Sequence, residues 1–358
     1  MADVLHLTGP VLVGPDDVRS EVWVVDGRVT FTKPAAEAQT VDGWVLPGLV
    51  DAHCHIGLGP EGAVDEAESE RQAVADRHAG TLLIRDAGTP VDTRWVDDRD
   101  DLPRLIRAGR HIARSRRYLR GFAHEVEPED VVAYVRQEAR RGDGWVKLVG
   151  DWIDRDTGDL SPSFPRETVV AAVAAAHEEG ARTTAHCFGE ESLYDFAAAG
   201  SDCIEHACGL EPDSIAQFAE QGIAIVPTLI NIARLPEMAA PGRDKFPTYY
   251  AHMLDLYERR HATVAAAHDA GVPIYLGTDA GSSLPHGLVA EEAAELVAAG
   301  LTPVEVLLTG TWGAREWLGK PGIEEGASAD LVVYEADPRA DISVLKAPAA
   351  IVLRGQTV

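Results

Sequence analysis

The sequence predicts an α/β protein: a closed (β/α)8 barrel of the TIM type, with a small β-sandwich-like domain built from both chain ends. Three observations predict it. Both ends are rich in strand-like segments. Between them, eight apolar strand candidates alternate with helical stretches, many rich in alanine. The polar residues with metal-binding chemistry fall mostly in or at the ends of those strands.

At the N-terminal end, Glu21-Val22-Trp23-Val24-Val25 and Arg28-Val29-Thr30-Phe31-Thr32 flank Asp26-Gly27. Asp-Gly between two such runs is a hairpin signal, because both turn residues tolerate positive φ. Ala329–Tyr334 and Ala350–Gly355 are strand-like at the other end. Neither end has enough strands for a stable sheet of its own. Residues 1–46 and 326–358 are therefore expected to pair, with 47–325 inserted between them as the barrel.

The barrel strands are expected at Leu46–His55, Leu82–Asp86, Tyr118–His124, Trp145–Val149, Arg182–Cys187, Cys203–His206, Ile223–Leu229 and Pro273–Asp279. Glu167–Glu179 reads as a helix stopped by Gly180, and Thr302-Pro303-Val304-Glu305 as the capping-box start of another. Strands alternating with helices imply a parallel sheet. No G-x-G-x-x-G follows the first strand, so a dinucleotide-binding sheet lacks its phosphate cradle.

Composition narrows the function. In 358 residues, Lys and Arg total 32 against 58 Asp and Glu, a net charge of -26. That argues against nucleic acid or an anionic membrane as partner. Residues 1–9 show no basic or apolar leader character, and no apolar run approaches a membrane span. A cytoplasmic location is expected, with Cys54, Cys187, Cys203 and Cys208 as reduced thiols. Arg104, Arg107, Arg110, Arg114, Arg116, Arg117 and Arg120 form a basic run, read as a solvated helix face. Asp154, Asp156 and Asp159 lack the spacing of a calcium loop and read as acidic surface.

The chemistry concentrates at strand ends. His53 and His55 are two residues apart in a strand and aim two imidazoles at one point. Lys147 sits in the fourth strand, His186 near the end of the fifth, His206 at the end of the sixth and Asp279 at the end of the eighth. Barrel enzymes build their sites at the C-terminal strand ends, so these residues converge at one mouth. His124, at the end of the expected third strand, is the candidate for orienting the substrate oxygen. His286 follows the eighth strand at the same mouth, and Trp152 follows the fourth as a candidate pocket wall. The remaining histidines, His111 among them, read as surface or satisfied core residues. A buried strand lysine is costly unpaired. Lys147 either pairs with a carboxylate such as Asp279, or its neutral amine has reacted with carbon dioxide to give an anionic carbamate able to bridge two cations.

The segments PGLVDAHCHIGLG (47–59), IRDAG (84–88), VKLVG (146–150), AHCFG (185–189), IEHA (204–207), VPTL (226–229) and GTDAG (277–281), with the tail GIEEGASADLVVYEADPRADI (322–342), resemble the amidohydrolase superfamily. Within it, the pattern is similar to that of Xaa-Pro dipeptidase (prolidase-like) hydrolases. The resemblance implies a distorted barrel and a site for two divalent metal ions, with zinc the metal expected. It implies that His53, His55 and Asp279 hold one ion, that His186 and His206 hold the other, and that carbamylated Lys147 bridges them. It implies hydrolysis of an amide, peptide or related C–N bond of a small-molecule substrate by a metal-bridging hydroxide, with Asp279 moving the proton. The chain departs from the prolidase pattern twice. Phe122-Ala123-His124-Glu125 replaces a Gly-Gly-His-Gly segment, and Asn231 and Ile232 stand where a tyrosine is common. Lactone or phosphotriester hydrolysis at the same site, a mononuclear deaminase and a non-enzymatic relative are the alternatives. A homo-oligomer is compatible with all of them.

Overall fold

The computed structural model describes residues 4–358. Strands Val4–Leu12, Val18–Val25, Arg28–Thr30, Gln39–Asp42 and Trp44–Pro47 share one eight-stranded sheet with Leu331–Tyr334, Ala350–Leu353 and Gln356–Thr357. The two chain ends meet where Trp44–Pro47 runs antiparallel to Leu331–Tyr334, with Pro47 opposite Leu331 and Trp44 opposite Tyr334. Asp26 and Gly27 close the hairpin with φ of 50° and 76°, the left-handed turn expected of Asp-Gly. Leu7, Val22, Val24, Val45, Leu331 and Val333 form an apolar cluster on this sheet.

The intervening chain is α/β, and its two larger sheets are parallel, while Asp151–Asp154 with Asp159–Pro162 and Leu58–Gly59 with Gly62–Ala63 form short antiparallel pairs. Leu49–Cys54, Thr81–Asp86 and Arg104–Arg107 make a three-stranded sheet. His124–Val126, Ile112–Arg114, Trp145–Val149, Arg182–Cys187, Cys203–His206 and Ala224–Val226 make a six-stranded one in that order. Residues 273–280 link the two through isolated parallel bridges, Ile225 to Ile274 and Cys54 to Ala280. Strand residues Val146, Ala185, Ile204 and Ile225 pack in one core with helix residues Val173, Phe196 and Phe218. Helix Arg166–Glu178 stops two residues before Gly180, whose φ is 76°. Helix Pro303–Gly310 starts at the capping box of Thr302 and Glu305.

Four local expectations change. Tyr118–Phe122 is turn and bend rather than strand, and the third parallel strand is Arg104–Arg107. Arginines disguised that strand as a helix face. Arg107 is in fact buried and bound to Thr93, Asp97 and Asp143, so its charge is satisfied inside the fold. The expected seventh strand is shorter, Ala224–Val226, and the chain turns into helix at Leu229. Pro273–Asp279 carries only bridges, because Ala52 N and Ile225 N donate to its Leu276 and Pro273 carbonyls at intervals rather than along a ladder. All four cysteines are free and buried. Among the described residues, no helix is long and apolar enough to cross a membrane.

Candidate metal centre

His53, His55 and Asp279 meet as a triangle. The two Nε2 atoms are 3.1 Å apart, and Asp279 Oδ1 lies 3.1 Å from His53 Nε2 and 3.0 Å from His55 Nε2. The far side of each ring faces an oxygen, in a hydrogen bond for His55 and in an ion-pair contact for His53. His55 Nδ1 donates to the Gly88 carbonyl at 2.6 Å, and His53 Nδ1 lies 2.8 Å from Glu205 Oε2. Both rings therefore turn an Nε2 lone pair toward a carboxylate oxygen. Three acceptors about 3 Å apart repel unless a positive charge sits among them. Their spacing is close to the edge of a tetrahedron of zinc ligands, about 3.3 Å for bonds of about 2.0 Å.

His206 joins this group, with one ligand atom within 4.8 Å of those of His53 and Asp279. Its Nδ1 sits 2.8 Å from Thr228 Oγ1, and its ring meets His186 edge-on at 4.7 Å between centroids. Burial, and then the neighbouring His186, hold His206 well below the usual imidazole range. Burial followed by the charge of Lys147 brings His186 down to about 3. Both are thus neutral, the form that binds metal. His186 Nε2 is buried without a hydrogen-bond partner.

Lys147 is 1% exposed, and its Nζ lies 4.0 Å from Glu205 Oε1. Burial lowers its pKa, partly offset by the nearby Glu205 and Asp279. Glu205 also takes a 2.7 Å hydrogen bond from Arg85 Nη2. Burial opposes its charge, but Arg85, His53 and Lys147 outweigh burial and keep the carboxylate ionised. Arg85 in turn stacks under Trp145 and Trp317, at 4.7 and 5.2 Å from the ring centroids.

The backbone brings these groups together at a local cost. His206, Thr228 and Asp279 all adopt positive φ, 66°, 48° and 58°, which is uncommon for non-glycine residues. A Cβ on Gly277 would lie 2.6 Å from the His53 nitrogen, so only glycine lets this segment press against the first strand. Asp51 clamps the same junction, accepting from His53 N at 3.1 Å, Thr278 N at 3.0 Å and Thr278 Oγ1 at 2.6 Å.

A cavity of about 210 Å³ opens onto the cluster, with His55, His186 and Asp279 among its lining residues. Trp152 lines it. His124 does not: its Nε2 bonds Glu138 Oε1 at 3.0 Å, away from the cavity. His286 does not either, because its Nδ1 is held by Asp76 Oδ2 at 2.8 Å. The histidine that enters is His111, from Gly109-Arg110-His111-Ile112. It stacks on His55 at 5.1 Å, and neither ring nitrogen has a partner. Burial, then His55, holds it well below the usual range. Asn231 also lines the cavity and donates Nδ2 to Asp279 Oδ2 at 2.6 Å.

The Amidohydrolase family model matches residues 44–358. The chain belongs to the amidohydrolase family. It is therefore an enzyme of a hydrolase family that acts on C–N bonds of small molecules. An uncharacterised protein of Mycobacterium tuberculosis is 54% identical over 357 residues, covering 99% of this chain and 95% of that protein. The crystal structure of a Xaa-Pro dipeptidase with bound methionine superposes with a TM-score of 0.82 at 24% identity, covering 100% of both chains. That of the ochratoxinase of Aspergillus niger gives 0.80 at 20%, covering 99% of this chain and 95% of the other. At these identities the structural likenesses speak to the fold.

Proposed function

We propose that this amidohydrolase is a two-metal hydrolase of amide, peptide or related C–N bonds. The observation that carries the reading is the triangle of acceptors formed by His53, His55 and Asp279, whose spacing calls for a cation. These three residues would hold one divalent ion, and His186 and His206 the other. Zinc suits the imidazole-rich donor set. Lys147, buried and biased toward the neutral amine, would carry a carbamate that joins the two. The two parallel sheets would be the halves of a distorted (β/α)8 barrel that sets these residues at one mouth.

Bound metals at such a site supply Lewis acidity toward water and toward a carbonyl oxygen. The chain's own groups do the rest. Asp279 would accept the proton of the attacking water at its carboxylate and release it to the departing nitrogen. Asn231 holds Oδ2 of that carboxylate, leaving Oδ1 toward the cluster. His111, with both nitrogens free in the wall, is placed to hydrogen-bond the substrate oxygen. It takes the role expected of His124.

The test combines elemental analysis of the purified protein with a hydrolysis screen of N-acyl amino acids, dipeptides, anilides, lactones and phosphotriesters. Two metal ions per chain and turnover of a C–N substrate are expected. One ion per chain, or turnover confined to esters, would overturn the reading.

A further inference from the structure

Resting on the reading of this cavity as the substrate site of a C–N hydrolase, we infer that it selects an uncharged aromatic amide rather than a dipeptide. Its walls are largely aromatic and apolar. Tyr118, Phe122, Trp152 and Phe188 face it. Tyr118 meets Trp152 edge-on at 4.9 Å, and Phe188 packs on His186 at 4.3 Å, so the rings form a fixed slot beside the metal ligands. Leu58, Leu119 and Met238 extend the apolar surface. Such walls suit a ring, which can stack offset or edge-on. The volume, about 210 Å³, suits a small ligand. A cavity of about 150 Å³ already holds benzene, so one ring and an amide fit.

Charge points the same way. No lysine or arginine lines the cavity among the described residues. Arg234 reaches the rim only through Ser283, whose hydroxyl accepts from Nη1 at 2.7 Å, and its Nε lies 3.5 Å from Glu237. Among the described residues Asp279 is the only acid in the lining, and it belongs to the ligand cluster. A dipeptide brings a carboxylate and an ammonium, and beyond the metal ligands the walls offer neither one a counter-charge. The chain's net charge of -26 further disfavours the approach of anions. A neutral aromatic amide avoids both costs. In the reaction, water adds its oxygen to the carbonyl carbon, the C–N bond breaks, and the nitrogen leaves as a neutral amine with the proton taken from water.

Three acetanilides test this on the metal-replete enzyme. They carry a para carbamoylmethyl, carboxymethyl or aminomethyl group, so charge varies, with the first two nearly identical in shape and the third smaller. The neutral member should exceed both charged members in kcat/KM by at least about tenfold. Leu119 is 41% exposed and lines the cavity, so the chain should accommodate Leu119→Arg. That variant should move the ratio of carboxylate to neutral substrate by at least about tenfold toward the carboxylate. A charged member equal to the neutral one, a ratio that Leu119→Arg does not move, or turnover of dipeptides but no anilide would each overturn the inference and leave the hydrolase reading intact. No turnover of any C–N substrate by the two-metal enzyme would overturn both.

Discussion

Glu205 Oε2 lies 2.8 Å from His53 Nδ1, while Oε1 of the same carboxylate takes Arg85 Nη2 at 2.7 Å. One fully buried acid thus couples a proposed metal ligand to a guanidinium beneath the site. Such outer contacts fix the tautomer and basicity of a ligating imidazole.

Glu205→Gln should weaken metal binding about 10- to 100-fold, as loss of an outer partner does. It should also cost about 3–5 kcal/mol of stability, because Arg85 is left buried without its counter-charge. Chelator competition and urea unfolding read the two effects separately. Unchanged metal affinity in a destabilised protein would reduce Glu205 to a partner of Arg85.

Asn231 holds Asp279 from the side away from the histidines. Asn231→Ala should lower kcat about tenfold or more while leaving metal content at the wild-type value, since Asn231 is an orienting donor rather than a ligand. Parallel kinetics and elemental analysis check this. Loss of metal would instead assign the contact to holding the ligand in place.

The two histidines of the third-strand region should separate cleanly. His111→Ala should lower activity about 100-fold at wild-type metal content, as loss of a hydrogen bond to the reacting oxygen does. His124→Ala should leave kcat/KM within about threefold and cost about 1 kcal/mol through the lost contact to Glu138. The reverse pattern would restore His124 to the site.

His252 sits between Glu190 Oε2 and Asp159 Oδ1, each at 2.9 Å, and those hydrogen bonds, Glu190 first, raise its pKa to about 9. A raised folded-state pKa stabilises fully below the unfolded value of about 6.5. The contribution then falls as pH rises and is gone above about 9. The urea midpoint should therefore drop between pH 6.5 and 9, and His252→Gln should flatten that drop. An equal slope in wild type and variant would assign it elsewhere.

Much of the site was legible because its chemistry sits on strands. Strand alternation in His53-Cys54-His55 and the strand-end places of His186, His206 and Asp279 were enough to bring these residues together. Lys147 was legible as costly, but its nearest acid is Glu205 rather than Asp279. Glu205 hid beside His206, where its apolar neighbours gave no hint that it enters the interior. His111 was missed because Arg104–Arg107 looked like a charged helix face, which displaced the third strand and gave its mouth to His124. The inward pairing of Arg107 with Asp97 and Asp143 is a long-range contact that no local pattern announces. The hairpin at Asp26-Gly27 and the Thr302 capping box were readable because each is decided within a few residues.

Metal content of Lys147→Ala is the sharpest test of the proposed role of Lys147 in joining two metal ions. Alanine removes the tether and adds no rival ligand. Two cations held close repel each other without a bridging anion. Elemental analysis should give two ions per chain in the wild type and at most one in the variant, with short carboxylic acids restoring part of the activity. Two ions retained in Lys147→Ala would contradict the account.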